Sequence, residues 1–294
     1  MSGEPGRRYC GRELSTADLA HIRQLLQIKP VLGRVALSRR VCQDLGWLNS
    51  LGQPKEMSAR VALLRMEKDG LIQLPAPLST NGRGQCRFQL SKASEPREPV
   101  LEGAPTLKPL VFQKVQDSRV SRLWNELIQR YHYLGYCPLS GAQMRYLVWS
   151  ADGRLLAALG FGASAWQVKA RDQYIRWNDQ QRRIGLHRIV NNARFLILPW
   201  VKSFGLASQI LSAIVKPLLA DWSLRYGYAP VLLETFVEIP RFSGTSYQAT
   251  NWTRLGQTQG RGKLEKQNRQ TGPIKEIWVY PLHKNFRAIL CNQP

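Results

Sequence analysis

The sequence predicts a protein of the α/β (α+β) class, built as two units. Three observations predict it. Residues 15 to 70 carry apolar positions at helical spacing in three runs, closed by a short hairpin pattern. Residues 145 to 161 read as two apolar strands around Asp152-Gly153, and residues 195 to 280 then alternate strand, helix and strand, the pattern of a mixed sheet flanked by helices. Between the two units, Lys92 to Pro109 is rich in Pro, Glu and Ser, with Pro96, Pro99, Pro105 and Pro109. No helix or central strand runs through that proline spacing, so a linker is expected. The expected boundaries are 1–91, a linker at 92–112, and 113–294.

The chain has 294 residues, 44% of them apolar, enough for a sizeable core. Lys and Arg number 42 against 20 Asp and Glu, a formal net charge of +22. Such an excess repels itself in a compact fold, and its natural partner is a polyanion, nucleic acid being the commonest. The five cysteines, Cys10, Cys42, Cys86, Cys137 and Cys291, are odd in number and form no Cys-x-x-Cys pair. That argues against a disulfide framework and a zinc site of standard spacing. The longest apolar stretch, Leu155 to Trp166, is interrupted by Gly160 and Gly162 and is too short for a bilayer. Arg7 and Arg8 have no apolar run behind them, so no signal peptide is expected. The expectation is a reduced, cytoplasmic protein without membrane contact.

In the first unit, Ser15-Thr16-Ala17-Asp18 fits a capping box, and Leu19, Ile22, Leu25 and Leu26 share one helical face before Pro30. Leu37, Val41 and Leu45 mark a second helix. The third is expected to be capped by Ser58, to turn Val61, Leu64 and Met66 inward, and to end near Gly70. Leu71 to Leu74 and Arg87 to Leu90, around Asn81-Gly82, read as a hairpin. Three helices and a hairpin make a winged helix-turn-helix, which sets its third helix in the major groove and its hairpin on the flanking backbone. Arg60, Arg65 and Lys68 on that helix and Arg83 and Arg87 on the wing are therefore candidate nucleic-acid contacts.

In the second unit, Val120, Leu123, Trp124, Leu127, Ile128 and Tyr131 form a helical stripe ending at His132-Tyr133-Leu134-Gly135. Arg145 to Trp149 and Leu155 to Phe161 are strands, and a polar helical stretch through Arg171-Asp172 and Trp177 leads to a strand at Phe195 to Leu198. One long helix with Ile210, Leu211, Ile214, Leu218 and Leu219 inward, then strands at Val231 to Phe236 and Ile274 to Tyr280, complete it. The turn Lys202 to Ala207 follows a strand and opens a helix. Backbone N–H groups and the positive helix end at such a turn suit an anionic group.

Lys202-x-x-Gly205-x-Ala207 resembles the pyrophosphate turn of the GNAT acyltransferase superfamily, and Tyr247-x-x-x-Asn251-Trp252 resembles that family's later motif. The resemblance implies a GNAT-like mixed sheet, with acetyl-CoA or a related acyl donor as cofactor. It implies Lys202, Phe204, Gly205 and Ala207 around the pyrophosphate and Tyr247 as the acid for the leaving thiolate. Glu234 at the facing strand is a general base in this reading, or else a structural acid paired with Arg194 or Arg241. Bulky Phe204 and Lys202 depart from the usual grip, and the fold outlives its chemistry in some descendants. A longer resemblance covers nearly the whole chain. His132-Tyr133-Leu134-Gly135, Gly160 to Trp166, Arg171-Asp172, Asn191 to Pro199, Leu233 to Val237, Gly244-Thr245 and Asn251-Trp252 are similar to the DruA family of Druantia anti-phage systems, whose relatives also precede transposase catalytic domains. That implies DNA and other proteins of a defence or mobile-element system as partners, without fixing a reaction.

His132, Asp172 and Glu234 are carried as a further catalytic constellation, the carboxylate and histidine set that a metal-dependent nuclease needs, though they share no ligand spacing. His187 and His283 read as surface residues. Arg261 and Lys263, set among glycines between Gln257 and Arg269, can follow a phosphate backbone or simply be solvated. Trp166, Trp177 and Trp252 are base-stacking candidates or core.

Overall fold

The computed structural model describes residues 7–28, 32–49, 51–77, 89–260 and 272–292. The chain divides into two compact units, residues 1–87 and 88–294.

The first unit opens with a feature absent from the sequence reading, a hairpin of β1 (Arg7–Tyr9) and β2 (Arg12–Leu14). Its turn places Cys10 and Gly11 at φ +48° and +82°, the left-handed pair that a two-residue hairpin requires. Helix α1 (Thr16–Gln27) starts at the expected capping box: Asp18 N–H donates to Ser15 Oγ at 3.1 Å and Ser15 N–H to Asp18 Oδ2 at 2.8 Å. Helix α2 (Arg34–Asp44) buries Leu37 and Val41 as its spacing predicts.

Helix α3 (Glu56–Lys68) corrects the expected phase. Lys55 occupies the cap and Ser58 lies inside the helix. The buried stripe is Ala59, Ala62, Leu63 and Met66, while Val61 and Leu64 are exposed. Two alanines let α3 pack closely, and a search for bulky apolar residues reads past them. Leu71 to Leu74 form no strand; Leu74 N–H donates instead to Glu67 Oε1 at 3.0 Å. The Asn81-Gly82 turn lies outside the described residues.

The Pro-rich stretch expected as a linker is bound to the second unit from Gln89 onward. Glu126, on α4 (Ser118–Tyr131), accepts the N–H and Oγ–H of Ser91 at 2.9 and 2.6 Å. Val100 bridges in parallel to Val201, donating to Trp200 O at 2.9 Å and accepting from Lys202 N–H at 2.8 Å. Val100, Ala104 and Leu107 are buried. Prolines forbid a helix there but suit a strap of extended and 3-10 turns, and the apolar residues between them hold it down.

The second unit is a mixed α+β fold around one seven-stranded sheet. Its strands are β3 (Val111–Lys114), β4 (Met144–Trp149), β5 (Leu155–Ala163), β6 (Ile189–Ile197), β7 (Leu232–Glu238), β8 (Thr253–Gln257) and β9 (Lys275–Pro281), ordered β3-β4-β5-β6-β7-β9-β8. Only β6 and β7 are parallel. Trp124 of α4 seats on the sheet, its indole N–H donating to Leu159 O at 2.9 Å. A Cβ at Gly160 would stand 2.9 Å from that indole, so this approach requires glycine. Helices α5 (Lys169–Ile175) and α6 (Asp179–Gly185) fill the polar stretch before β6.

The expected single long helix is two, α7 (Leu206–Ala213) and α8 (Val215–Tyr226), broken at Ile214. Pro217 has no N–H for the carbonyl of Ala213 and its ring crowds that carbonyl, so the ladder breaks there. Single-turn α9 (Thr245–Gln248) and α10 (Phe286–Cys291) complete the unit. Among the described residues, no helix is long and apolar enough to cross a membrane.

Candidate functional site

The two parallel strands begin together and then part. Ile189, Val190 and Asn191 pair with Leu232, Leu233 and Glu234, but β6 continues to Ile197 and β7 to Glu238 with no further ladder pairs between them, only a bond from the Thr235 hydroxyl to Asn192 O at 3.0 Å. A bulge causes the bend. On β6, Arg194 faces Gly160 and Asn192 faces Phe161, which leaves Ala193 as the extra residue. An extra residue kinks its strand and increases the local twist, and here it falls where β6 leaves β7. The opening is a cavity of about 720 Å³, lined by residues 131–134, 191–197, 207, 235–238, 241–247 and 275.

Tyr247, on α9, faces this cavity. It is buried, Asn192 Nδ2 donates to its hydroxyl at 3.4 Å, and burial pushes its phenol up to about 12. The hydroxyl therefore keeps its proton at neutral pH and can donate it. His132, at the end of α4, also lines the cavity and stacks on Tyr133 at 4.8 Å between ring centroids. Its Nδ1 accepts Leu134 N–H at 3.2 Å. Burial, with Arg194 and Lys275 nearby, holds His132 down at about 4, so it is neutral at pH 7.

Glu234 does not face the cavity. It is 0% exposed, its Oε2 accepts from Arg171 Nη1 at 2.8 Å and its Oε1 from Ala165 N–H at 2.9 Å. Burial raises its carboxyl above the ordinary range while the Arg171 guanidinium opposes the rise. Enclosed in this way, Glu234 has no path to a substrate, and the geometry favours its structural reading. Its partner is Arg171, not Arg194 or Arg241. Asp172 belongs to the same cluster, bonding Arg171 at 2.8 Å and approaching Arg182 at 3.6 Å. His132 stands apart in the cavity, and among the described residues no group of three or more His, Cys, Asp or Glu is placed to hold a metal.

The expected anion turn is open. Gly205 adopts φ +76° with free space at its Cβ position, Lys202 is exposed, and Phe204, at 96% exposure, points to solvent rather than into the cavity. Of the four turn residues only Ala207 lines the cavity. Nearby, Ser203 Oγ and Gln209 Oε1 have no hydrogen-bond partner. On α3, Arg65 and Lys68 are exposed and Arg60 is half-buried. Met57, Val61 and Leu64 share the helix face of Arg65 and Lys68 and are exposed too. Arg83, Arg87, Arg261 and Lys263 lie outside the described residues. Trp177 and Trp252 are buried, whereas Trp166 is exposed beneath the Arg182 guanidinium at 5.4 Å.

The sequence reading missed Asn192, Lys275 and Tyr133 as cavity residues and weighed Arg194 only as an ion-pair partner. One signal was available: Asn191-Asn192 places two amides side by side in an apolar strand, a residue type that strands avoid.

The second unit is thus an α+β domain whose central sheet opens into a cationic cleft. This chain belongs to the DruA family: the family's sequence model, described as Druantia protein DruA, matches residues 65–270. No curated protein matches the chain. Among solved structures, spermidine N-acetyltransferase from Vibrio cholerae in complex with CoA and spermine is 12% identical, with 59% of this chain and 95% of that one covered, at a TM-score of 0.37. The Vibrio cholerae spermidine/spermine N-acetyltransferase with manganese ions is 11% identical, covering 59% and 92%, at 0.36. Nourseothricin acetyltransferase is 12% identical, covering 48% and 66%, at 0.29. The strand order and the parting of β6 from β7, not these scores, carry the description of the domain.

Proposed function

We propose that this protein binds nucleic acid within a Druantia anti-phage defence system. The observation that carries the reading is an excess of cations without internal counter-charge. The net charge is +22, and most carboxylates among the described residues are already engaged in ion pairs inside the fold. Arg65 and Lys68 on α3 have no carboxylate partner among the described residues. Phosphates supply the missing negative charge and release counter-ions. The apolar residues beside these cations suit base methyl groups more than water. Fluorescence anisotropy of the full chain with duplex and single-stranded DNA tests this. Affinity should fall with salt at a log–log slope of ~0.9 per phosphate neutralised, and Arg65→Glu should lower the slope by about one. No affinity for either DNA at low salt would refute the reading.

A second reading is transfer of an acyl group from acetyl-CoA or a related donor. The open turn at Gly205 beside a cleft that Tyr247 faces favours it. Calorimetry with acetyl-CoA on the wild type and on Gly205→Glu tests it; the absence of wild-type binding removes it.

A further inference from the structure

The cleft holds more unsatisfied polarity than a packed interior tolerates. Asn192 is 4% exposed, and its side-chain amide makes one contact, the 3.4 Å bond to Tyr247, leaving Oδ1 without a donor. Turning the amide over would only exchange which polar atom is stranded. Asn191 Oδ1 is unpartnered as well. A buried polar group left this way costs about 1–3 kcal/mol, so both amides behave as half of an interaction.

Charge points the same way. Three fixed cations line the cleft, Arg194, Arg241 and Lys275, against one carboxylate, Glu238, which lies 3.5 Å from Arg241. Arg194 and Lys275 have no carboxylate partner among the described residues, and the half-buried Arg194 guanidinium bonds only to the carbonyl of Ala193, at 2.8 Å. A guanidinium drawn partly out of water without a counter-charge is a seat for a phosphate or carboxylate.

Aromatic rings form part of the remaining walls, beside aliphatic and hydroxyl side chains such as Leu134, Ile197 and Ser246. Tyr133 and Phe242 meet at 5.2 Å and 60°, Phe195 and Tyr247 at 6.2 Å and 69°. Flat faces, amide acceptors and a phosphate seat within one cavity form the combination that reads a nucleotide taken out of its stack. A volume of about 720 Å³ lies in the ~300–1,000 Å³ range of ligand pockets. The uncharged acyl-pantetheine arm of an acyl donor would use neither the aromatic faces nor two uncompensated cations, and only the nucleotide end of such a donor competes for this cleft.

We propose that this cleft takes one unstacked nucleotide of a nucleic-acid strand, with its phosphate at Arg194 and Lys275, its base against the aromatic walls and its edge on Asn192. The inference rests on the nucleic-acid reading above and names what the second unit holds. His132 reports on it. The histidine lies among Arg194 and Lys275, so an anion placed between them raises its pKa above about 4.

Calorimetry on the full chain with 2′-deoxyadenosine 5′-monophosphate, inorganic phosphate and acetyl-CoA tests the proposal, with NMR titration of His132 beside it. The expected result is that the nucleotide binds at least tenfold more tightly than phosphate. Arg194→Gln should lose at least tenfold while keeping its circular dichroism spectrum, and the His132 pKa should rise on binding. Phosphate binding as tightly as the nucleotide, acetyl-CoA binding more tightly than the nucleotide, or an unchanged affinity in a folded Arg194→Gln would each overturn the proposal. DNA binding at low salt without nucleotide binding sinks this inference alone. Nucleotide binding without any DNA affinity sinks the nucleic-acid reading and, with it, the strand.

Discussion

Replacing Glu234 with Gln separates a structural acid from a catalytic one. The substitution keeps the shape and removes the charge that faces Arg171, itself 0% exposed. Breaking a buried ion pair by removing one partner costs about 3–5 kcal/mol. Asp172 still bonds Arg171 at 2.8 Å, so the lower end applies, about 3 kcal/mol. For a domain of this size that is a fall in Tm of roughly 6–12 °C. Arg171→Met strands the acid instead. Burial then raises the Glu234 carboxyl further, the folded state holds its proton above the unfolded pKa, and stability is lost as pH rises from about 4.5 towards neutrality. Removing both charges in Arg171→Met/Glu234→Leu should recover at least about 1 kcal/mol over Glu234→Gln. Urea denaturation followed by circular dichroism at pH 5 and pH 7 measures all three. If Glu234→Gln stays within about 0.5 kcal/mol of the wild type yet abolishes an activity, the structural reading of Glu234 is wrong.

Glu126 gives the opposite pH signature. Although burial penalises its charge, bonds from Ser91 and Arg122 hold its carboxyl down at about 2, so it stabilises the fold above pH 4.5 and loses that contribution as pH falls towards 2. Glu126→Gln should cost about 2 kcal/mol at pH 7 and less at pH 3, measured by urea melts at both. Two glycines with similar φ test backbone against packing. Gly153→Ala, at φ +82° in open space, should cost about 1 kcal/mol. Gly244→Ala, at φ +71° with its Cβ 2.9 Å from the Trp278 ring, should cost about 2–4 kcal/mol by thermal melts.

Where local chemistry decides the structure, the sequence is legible. The Ser15–Asp18 capping box, the α4 stripe and the Asp152-Gly153 hairpin each involve residues within a few positions of one another, and each stands as expected. The misreadings have separate causes. Pro217 breaks a helix whose apolar face continues across the break, because apolar spacing is indifferent to a missing N–H. Ala59 and Ala62 define the buried side of α3, although periodicity scored on large residues selects Val61 and Leu64. In the Pro-rich strap, composition alone suggests a linker, and only the distant acceptor Glu126 and the bridge at Val201 reveal what holds it.

The cleft was least legible because no local rule makes it. It exists because three residue pairs join β6 to β7 and a one-residue bulge at Ala193 ends their contact, a register set by strands far apart in sequence. Once the strands part, side chains that would otherwise be ladder neighbours become walls, and Asn192 and Arg194 change from misfits in an apolar strand to the polar floor of a cavity. The same parting explains why Glu234 and Tyr247, paired by motif as base and acid, serve different ends. Glu234 sits at the last joined pair, where the sheet is closed and a carboxylate must be neutralised internally, whereas Tyr247 reaches the open part. Any chemistry in this cleft therefore has to draw on Tyr247, neutral His132, Glu238 and the cations around them; with Glu238 held 3.5 Å from Arg241, the set is better suited to holding an anion than to taking a proton from a nucleophile.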